Sequence, residues 1–210
     1  MRRLGHWTPR YFCDRAARHL FERSRPGSPN LSTGAIRFLE DWLRKTDAIL
    51  EYGAGQSTPW FARRVGRIVS MESKSLWYEK VRKATAGFAN VELHLYEANH
   101  EMVPGCGVSW DYVRKTEGFA PETFDGVLND GFARAYVGPR VLPLIRKGGI
   151  LVWDDWLCPF PSSGYTPRAA VVDERLREQK PSEFLEQVRD WRSLCLDDGI
   201  HSTAIFFKPS

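Results

Sequence analysis

The sequence predicts an α/β domain, a doubly wound and mostly parallel sheet, with a helical extension ahead of it. Two patterns predict the sheet. From residue 48 onward, short apolar strands alternate with helical segments five times, which sets a parallel sheet between two layers of helices. The chain then closes with two strands, 193–196 and 203–207, joined through the turn Asp197-Asp198-Gly199. So short a link forces an antiparallel pair, because a parallel return needs a crossover of about a dozen residues. A third observation bounds the size. The chain has 210 residues, 42% hydrophobic and 27% charged, enough for one domain with its own core and outside the range of disordered chains.

Taken in order, residues 1–45 read as a helical extension, a lid or a dimer surface, and 46–210 as the sheet domain. Pro9 suits a first helical turn, and Tyr11, Phe12, Ala16, Leu20 and Phe21 recur at helical spacing up to Arg25-Pro26-Gly27. A second helix starts from a cap at Ser32 or Thr33 and runs through Ile36, Leu39 and Leu43. The first strand, 48–52, is closed by Gly53-Ala54-Gly55, after which Thr58 caps a helix with Pro59 in its first turn. Strand 67–71 ends on Glu72 and is followed by a helix over 75–85 and strand 91–95. Residues 97–122 are too long for a plain connection and read as a functional loop with local helix. Strand 124–128, a turn at 129–131, a helix over 139–146 ended by Lys147-Gly148-Gly149, and strand 150–153 follow. Residues 157–181 read as a variable loop, and a helix over 181–191 precedes the final hairpin.

Several function classes fall away. The formal charge of +4 suggests a polyanion partner until it is located: residues 1–25 hold seven arginines against Asp14 and Glu22, and the other 185 residues sum to about −1. A neutral body offers no phosphate track, so nucleic acid is not the expected partner. The four cysteines are far apart and form no metal or disulfide spacing. Apolar runs such as 149–153 span about five residues, against roughly 20 needed to cross a bilayer. Arg2-Arg3 lacks the apolar stretch of a twin-arginine signal, and a cytoplasmic protein with no membrane partner is expected.

In open α/β sheets the ligand sits beyond the carboxyl ends of the strands, so the residues after each strand carry the chemistry. Gly53 and Gly55 after the first strand permit a tight turn and close approach of a ligand to the backbone. Glu72, 19 residues after Gly53, stands where an acid meets ribose hydroxyls. Together they favour a nucleoside-bearing ligand. Asp130 follows the fourth strand, and Asp154 and Asp155 the fifth. Three carboxylates on one rim repel unless compensated. A divalent cation, Mg²⁺ first, would compensate them. The alternative has Asp154 cap the next segment and Asp155 pair with Arg168 or Arg134.

The run Leu50-Glu-Tyr-Gly-Ala-Gly-Gln-Ser-Thr-Pro-Trp-Phe-Ala62, with Val69-Ser-Met-Glu72, Phe124-Asp-Gly-Val-Leu-Asn-Asp-Gly131 and Lys147-Gly-Gly-Ile-Leu-Val-Trp-Asp-Asp155, resembles the class I S-adenosylmethionine-dependent methyltransferases over roughly residues 46–208. The resemblance implies a seven-stranded sheet of order 3-2-1-4-5-7-6 with the last strand reversed. It implies S-adenosylmethionine as cofactor, with Glu51, Gly53 and Gly55 along its methionine part, Glu72 on the ribose and Glu97 beside the adenine. Ser57 and Asp130 complete the expected cofactor-binding set. Asp130 with Asp154 and Asp155 further resembles the magnesium-dependent O-methyltransferases of the catechol and sugar-modifying kinds, where such acids hold a metal. The catechol kind carries Asp-Asn in place of Asp154-Asp155, and no residue matches that group's catalytic Lys or His.

The expected activity is therefore methyl transfer, as O-methylation of a small molecule or sugar, with Mg²⁺ as a further expected cofactor and a homodimer through the N-terminal helices as one use of that surface. The catalytic candidates are Asp130, His100 in the long loop and His201 before the last strand, since an alcohol nucleophile must lose its proton. Trp42, Trp60, Trp77 and Trp191 read as core, whereas Trp110, Trp153 and Trp156 flank the rim. Asn129, where an apolar residue would extend the strand, favours a second reading, a vestigial cofactor-binding protein. A nicotinamide dehydrogenase is opposed by Thr58 at the third glycine position and by the lack of a second domain.

Overall fold

The computed structural model describes residues 8–156 and 181–210. Two helices, α1 (Pro9–Ser24) and α2 (Thr33–Trp42), lead into β1 (Ala48–Tyr52), α3 (Ser57–Ala62), β2 (Arg67–Glu72), α4 (Ser75–Ala84) and β3 (Val91–Leu95). Then come α5 (Trp110–Arg114), β4 (Phe124–Asn129), α6 (Arg134–Val141), β5 (Ile145–Asp154), α7 (Pro181–Gln187), β6 (Arg192–Asp197) and β7 (Ser202–Phe207). The seven strands lie in the order β3-β2-β1-β4-β5-β7-β6. Every described pairing is parallel except those of β7, which runs antiparallel to both β5 and β6. This is the topology the motifs imply.

Alternation within each strand sorts the core into two layers, as a two-residue period requires. Leu50, Tyr52, Val69, Met71, Val127, Leu151 and Trp153 face one side, where Tyr112 of α5, Val137 of α6 and Phe184 of α7 cover them. Ile49, Ile68, Leu128, Ile150 and Val152 face the other, under Ile36 and Leu39 of α2 and Trp60 and Phe61 of α3. Full burial of one such apolar side chain stabilises by about 1.5–3 kcal/mol. The expected N-terminal extension thus supplies core. Arg18 of α1, 4% exposed, ties it down: its guanidinium donates to Glu22 (2.7 Å), Asp198 (3.2 Å) and the Leu31 carbonyl. Asp198 in turn accepts from the amides of Thr33, Ile200 and His201. No helix among the described residues is long and apolar enough to cross a membrane.

Thr8 caps α1 through the Tyr11 amide, with Pro9 in the first turn as expected. Three elements differ from the sequence expectation. Thr58 does not cap α3; its hydroxyl is drawn away to Glu51. The helix expected at 139–146 lies at Arg134–Val141 and holds Pro139 in its interior. It starts early because Ala133 adopts a left-handed conformation (φ 54°) that turns the chain directly out of the β4 loop. Its end gives way to a short 3-10 turn, and β5 begins at Ile145 with a bulge: Phe124 faces Ile145 but Gly126 faces Ile150. Gly148 (φ 73°) sits in that bulge, so the glycines expected to end a helix bend a strand instead. The variable loop expected at 157–181 lies outside the described residues except for Pro181, which opens α7. Arg2, Arg3 and Arg168 also lie outside them.

Candidate active site

The site forms where the loops after β1, β2 and β4 meet. Gly53 has φ 93°, and a Cβ placed there would lie 2.7 Å from backbone atoms of Gly131. Only glycine fits so close a crossing of two loops. The crossing is bonded on both sides: Gly53 N donates to Met71 O (2.9 Å) and Asp130 N to Tyr52 O (2.9 Å). Gly55 differs, since a Cβ there would meet nothing nearer than Ser57 Oγ at 3.9 Å and Trp77 Nε1 at 4.0 Å. Its open side faces a cavity of about 360 Å³, within the range of small-molecule sites.

Gly53, Ala54, Gly55, Gln56 and Ser57 form one wall of this cavity, and Glu72, Lys74 and Trp77 a second. Tyr112, Asp130, Gly131, Phe132 and Arg134 form a third, and Asn30, between α1 and α2, closes the rim. Gln56 Nε2 donates to Ser28 O (2.9 Å), fixing that N-terminal segment to the glycine loop. Of the residues expected to bind cofactor, Gly53, Gly55, Ser57, Glu72 and Asp130 therefore border one space.

Glu51 lies beneath that space rather than on it. It is fully buried and accepts hydrogen bonds from Thr58 Oγ1 (2.5 Å) and Ser70 Oγ (2.6 Å), while Thr58 Oγ1 also accepts from Gly55 N (3.1 Å). The chain Glu51–Thr58–Gly55 holds the glycine loop in shape. Burial pushes the Glu51 carboxyl up to about 7, against the hydroxyls of Ser57, Ser70 and Thr58. Glu72 behaves differently. One oxygen, Oε1, accepts from the amides of Ser73 (2.6 Å) and Lys74 (2.8 Å), which fixes the carboxylate at the cavity wall. Burial raises its pKa and these amides oppose the rise.

The three acids at the ends of β4 and β5 do converge, and an arginine takes two of them. Arg134, the first residue of α6, donates to Asp130 Oδ1 (2.6 Å) and to the Asp130 carbonyl (2.8 Å), and reaches Asp155 at 3.4 Å. Asn129 Nδ2 donates to Arg134 O (3.0 Å), so this residue has a structural task at the end of β4. Asp154 accepts from Thr203 Oγ1 (3.3 Å). Burial raises the Asp130 carboxyl, with Arg134 opposing; burial and the charges of Asp130 and Asp155 push Asp154 well above the carboxylate range.

His201 stands behind this group, with potential ligand atoms of Asp154, Asp155 and His201 within 4.8 Å of one another. Neither it nor Asp154 nor Asp155 borders the cavity. Glu97 and His100 are exposed on the segment after β3, and neither contributes to the lining. Trp77, expected in the core, is 48% exposed and lines the cavity, because α4 turns that face toward the glycine loop. Trp153, expected at the rim, is fully buried against Trp156 and Phe184. Sequence reading passed over Asn30, Gln56, Lys74 and Phe132 as lining; only proximity to the strand ends signals the last two.

No protein-family model and no curated protein sequence matches the chain. Solved structures do. The chain is similar to an O-methyltransferase from Bacillus cereus in complex with SAH (19% identity, 95% of this chain and 89% of that one, TM-score 0.57). It is similar to a methyltransferase from Geobacter sulfurreducens (18%, 94% and 90%, TM-score 0.55). A protein from Corynebacterium glutamicum aligns over 99% of this chain and 94% of that one, at 13% identity and TM-score 0.61. With the strand order and the reversed β7, these likenesses give the chain the fold of the class I S-adenosylmethionine-dependent methyltransferases.

Proposed function

We propose that the protein is an S-adenosylmethionine-dependent methyltransferase that methylates a hydroxyl of a small molecule or sugar. The observation that carries this reading is one cavity bordered at once by the open side of Gly55 and by the anchored carboxylate of Glu72. Those are the two contacts that a nucleoside with a charged amino-acid tail requires. The occurrence of SAH in the Bacillus cereus structure supports the same ligand class.

The cofactor supplies a methyl group already activated on a sulfonium, so the chain's own residues have to orient and to handle a proton. Gly53 to Ser57 offer backbone to the amino-acid tail, shaped from below by Thr58 and Glu51. Glu72 accepts from ribose hydroxyls. Trp77 offers an aromatic face beside it for the base. Asp130 stands on the cavity with its carboxyl raised by burial, suited to receive the acceptor's hydroxyl proton. His201 backs Asp154 and Asp155 behind it. His100 and Glu97, exposed and away from the lining, have no part in this account. The N-terminal segment acts as a fixed wall through Asn30 and Gln56. Asn129, bonded to α6, no longer favours a vestigial reading.

Calorimetric titration of S-adenosylhomocysteine tests the cofactor, and labelled methyl transfer screened against a metabolite extract tests the acceptor class. Saturable heat followed by label on a hydroxyl is expected. No heat with the folded protein would overturn the reading.

A further inference from the structure

The carboxylate triad invites a divalent cation, yet the residues present do not fit one. A metal held by Asp130, Asp154 and Asp155 needs oxygens free to turn toward a common centre. Here the Arg134 guanidinium takes Asp130 Oδ1 at 2.6 Å and reaches Asp155 at 3.4 Å, and it is held on the Asp130 carbonyl as well. Asp154 accepts from the Thr203 hydroxyl (3.3 Å). Arg134 is placed by the fold: Ala133 in the left-handed region turns α6 back over the loop, and Asn129 grips the Arg134 carbonyl. Asp155 also adopts a left-handed conformation (φ 51°), which fixes its carboxylate opposite the guanidinium. A planar guanidinium matches two carboxylates where a point cation would need six oxygens.

We propose that Arg134 is the resident cation of this triad, that it excludes a divalent metal, and that the acceptor is positioned without metal chelation. The proposal deepens the methyltransferase reading and rests on it only for its consequence for the acceptor. Without a chelating metal, the acceptor needs no pair of neighbouring oxygens.

Manganese is the probe, followed by the loss of its free-ion electron paramagnetic resonance signal on binding. The chelator-treated native protein is expected to bind no Mn²⁺. Arg134→Gln, which stays polar but removes the guanidinium and its charge, should bind it at least about tenfold more tightly than the native protein, a difference of roughly 1.4 kcal/mol. Asp154→Asn in the Arg134→Gln background should abolish that gain. Mn²⁺ binding by the native protein that Asp154→Asn removes would overturn the proposal, as would a folded Arg134→Gln that gains none. If Arg134→Gln does not fold, the native titration alone decides, absence of binding supporting the proposal and presence overturning it. S-adenosylhomocysteine titrated into the same metal-free native sample separates the two readings: loss of that heat sinks the cofactor assignment and leaves the manganese result standing.

Discussion

Two buried arginines show what the same ion-pair chemistry does in two places. Arg18 is surrounded by acceptors, namely two carboxylates and the carbonyls of Leu31 and Pro29, and its main partner Asp198 is itself saturated by three amides. The cluster is closed, and it joins the N-terminal helices to the β6–β7 turn. Arg134 bonds two acids, Asp130 and Asp155, is 24% exposed and forms part of a cavity wall. Its cluster sets three carboxyl groups, Asp154 among them, against one guanidinium. Closed pairs hold the fold, and the unbalanced one stands where chemistry is proposed.

The largest expected effect breaks the cavity without touching either arginine. Gly55→Leu should remove detectable S-adenosylhomocysteine binding while leaving the melting temperature close to native, because the new side chain enters open space. Gly53→Ala, by contrast, should unfold or strongly destabilise the protein, since its Cβ collides with the Gly131 backbone. Arg18→Met sharpens the comparison from the other side. Removing one partner of a buried pair should lower stability by about 3 kcal/mol in denaturant titration, with ligand affinity of the folded protein unchanged.

A pH effect of similar size is expected from Glu51. Its carboxyl is raised from 4.5 to about 7 on folding, so between those pH values the native state keeps a proton that the unfolded chain has released. Stability from this group is therefore complete below 4.5 and lost as pH rises to 7, by about 3 kcal/mol at roughly 1.4 kcal/mol per pH unit. Glu51→Gln, unable to ionise, should be flatter over that window, and the difference between the two stability curves measures it. The smallest effect is expected from Glu72→Gln. The amide keeps an acceptor for Ser73 and Lys74 but loses the charge, and binding should weaken by about 10- to 100-fold, the value of a charged hydrogen bond. A larger loss accompanied by a lower melting temperature would place Glu72 in the fold rather than on the ligand.

Strand ends were the readable part of this molecule. A glycine turn and an acid at the next strand end are local signals, and sheet topology carries both to one rim, so Gly53, Gly55, Glu72 and Asp130 were reachable from spacing alone. What spacing cannot convey is the direction a helix leaves its loop. The left-handed Ala133 starts α6 five residues early, and that brings Arg134 onto Asp130 and Asp155, one of two partners the sequence offered for Asp155. Trp77 and Trp153 exchanged roles for a related reason: both are large apolar residues at helix or strand spacing, and only packing decides which one faces a cavity. Glu97, the candidate after β3, and His100, the base candidate of the long loop, stand where the chain is exposed.

The central claim is that one cavity, walled by the glycine loop and Glu72, binds S-adenosylmethionine. Calorimetric titration of S-adenosylhomocysteine into metal-free native protein, with Gly55→Leu in parallel, tests it most directly. Saturable one-site binding by the native protein and none by the folded variant is the predicted result. Absence of heat from the native protein, or equal binding by both, would contradict it.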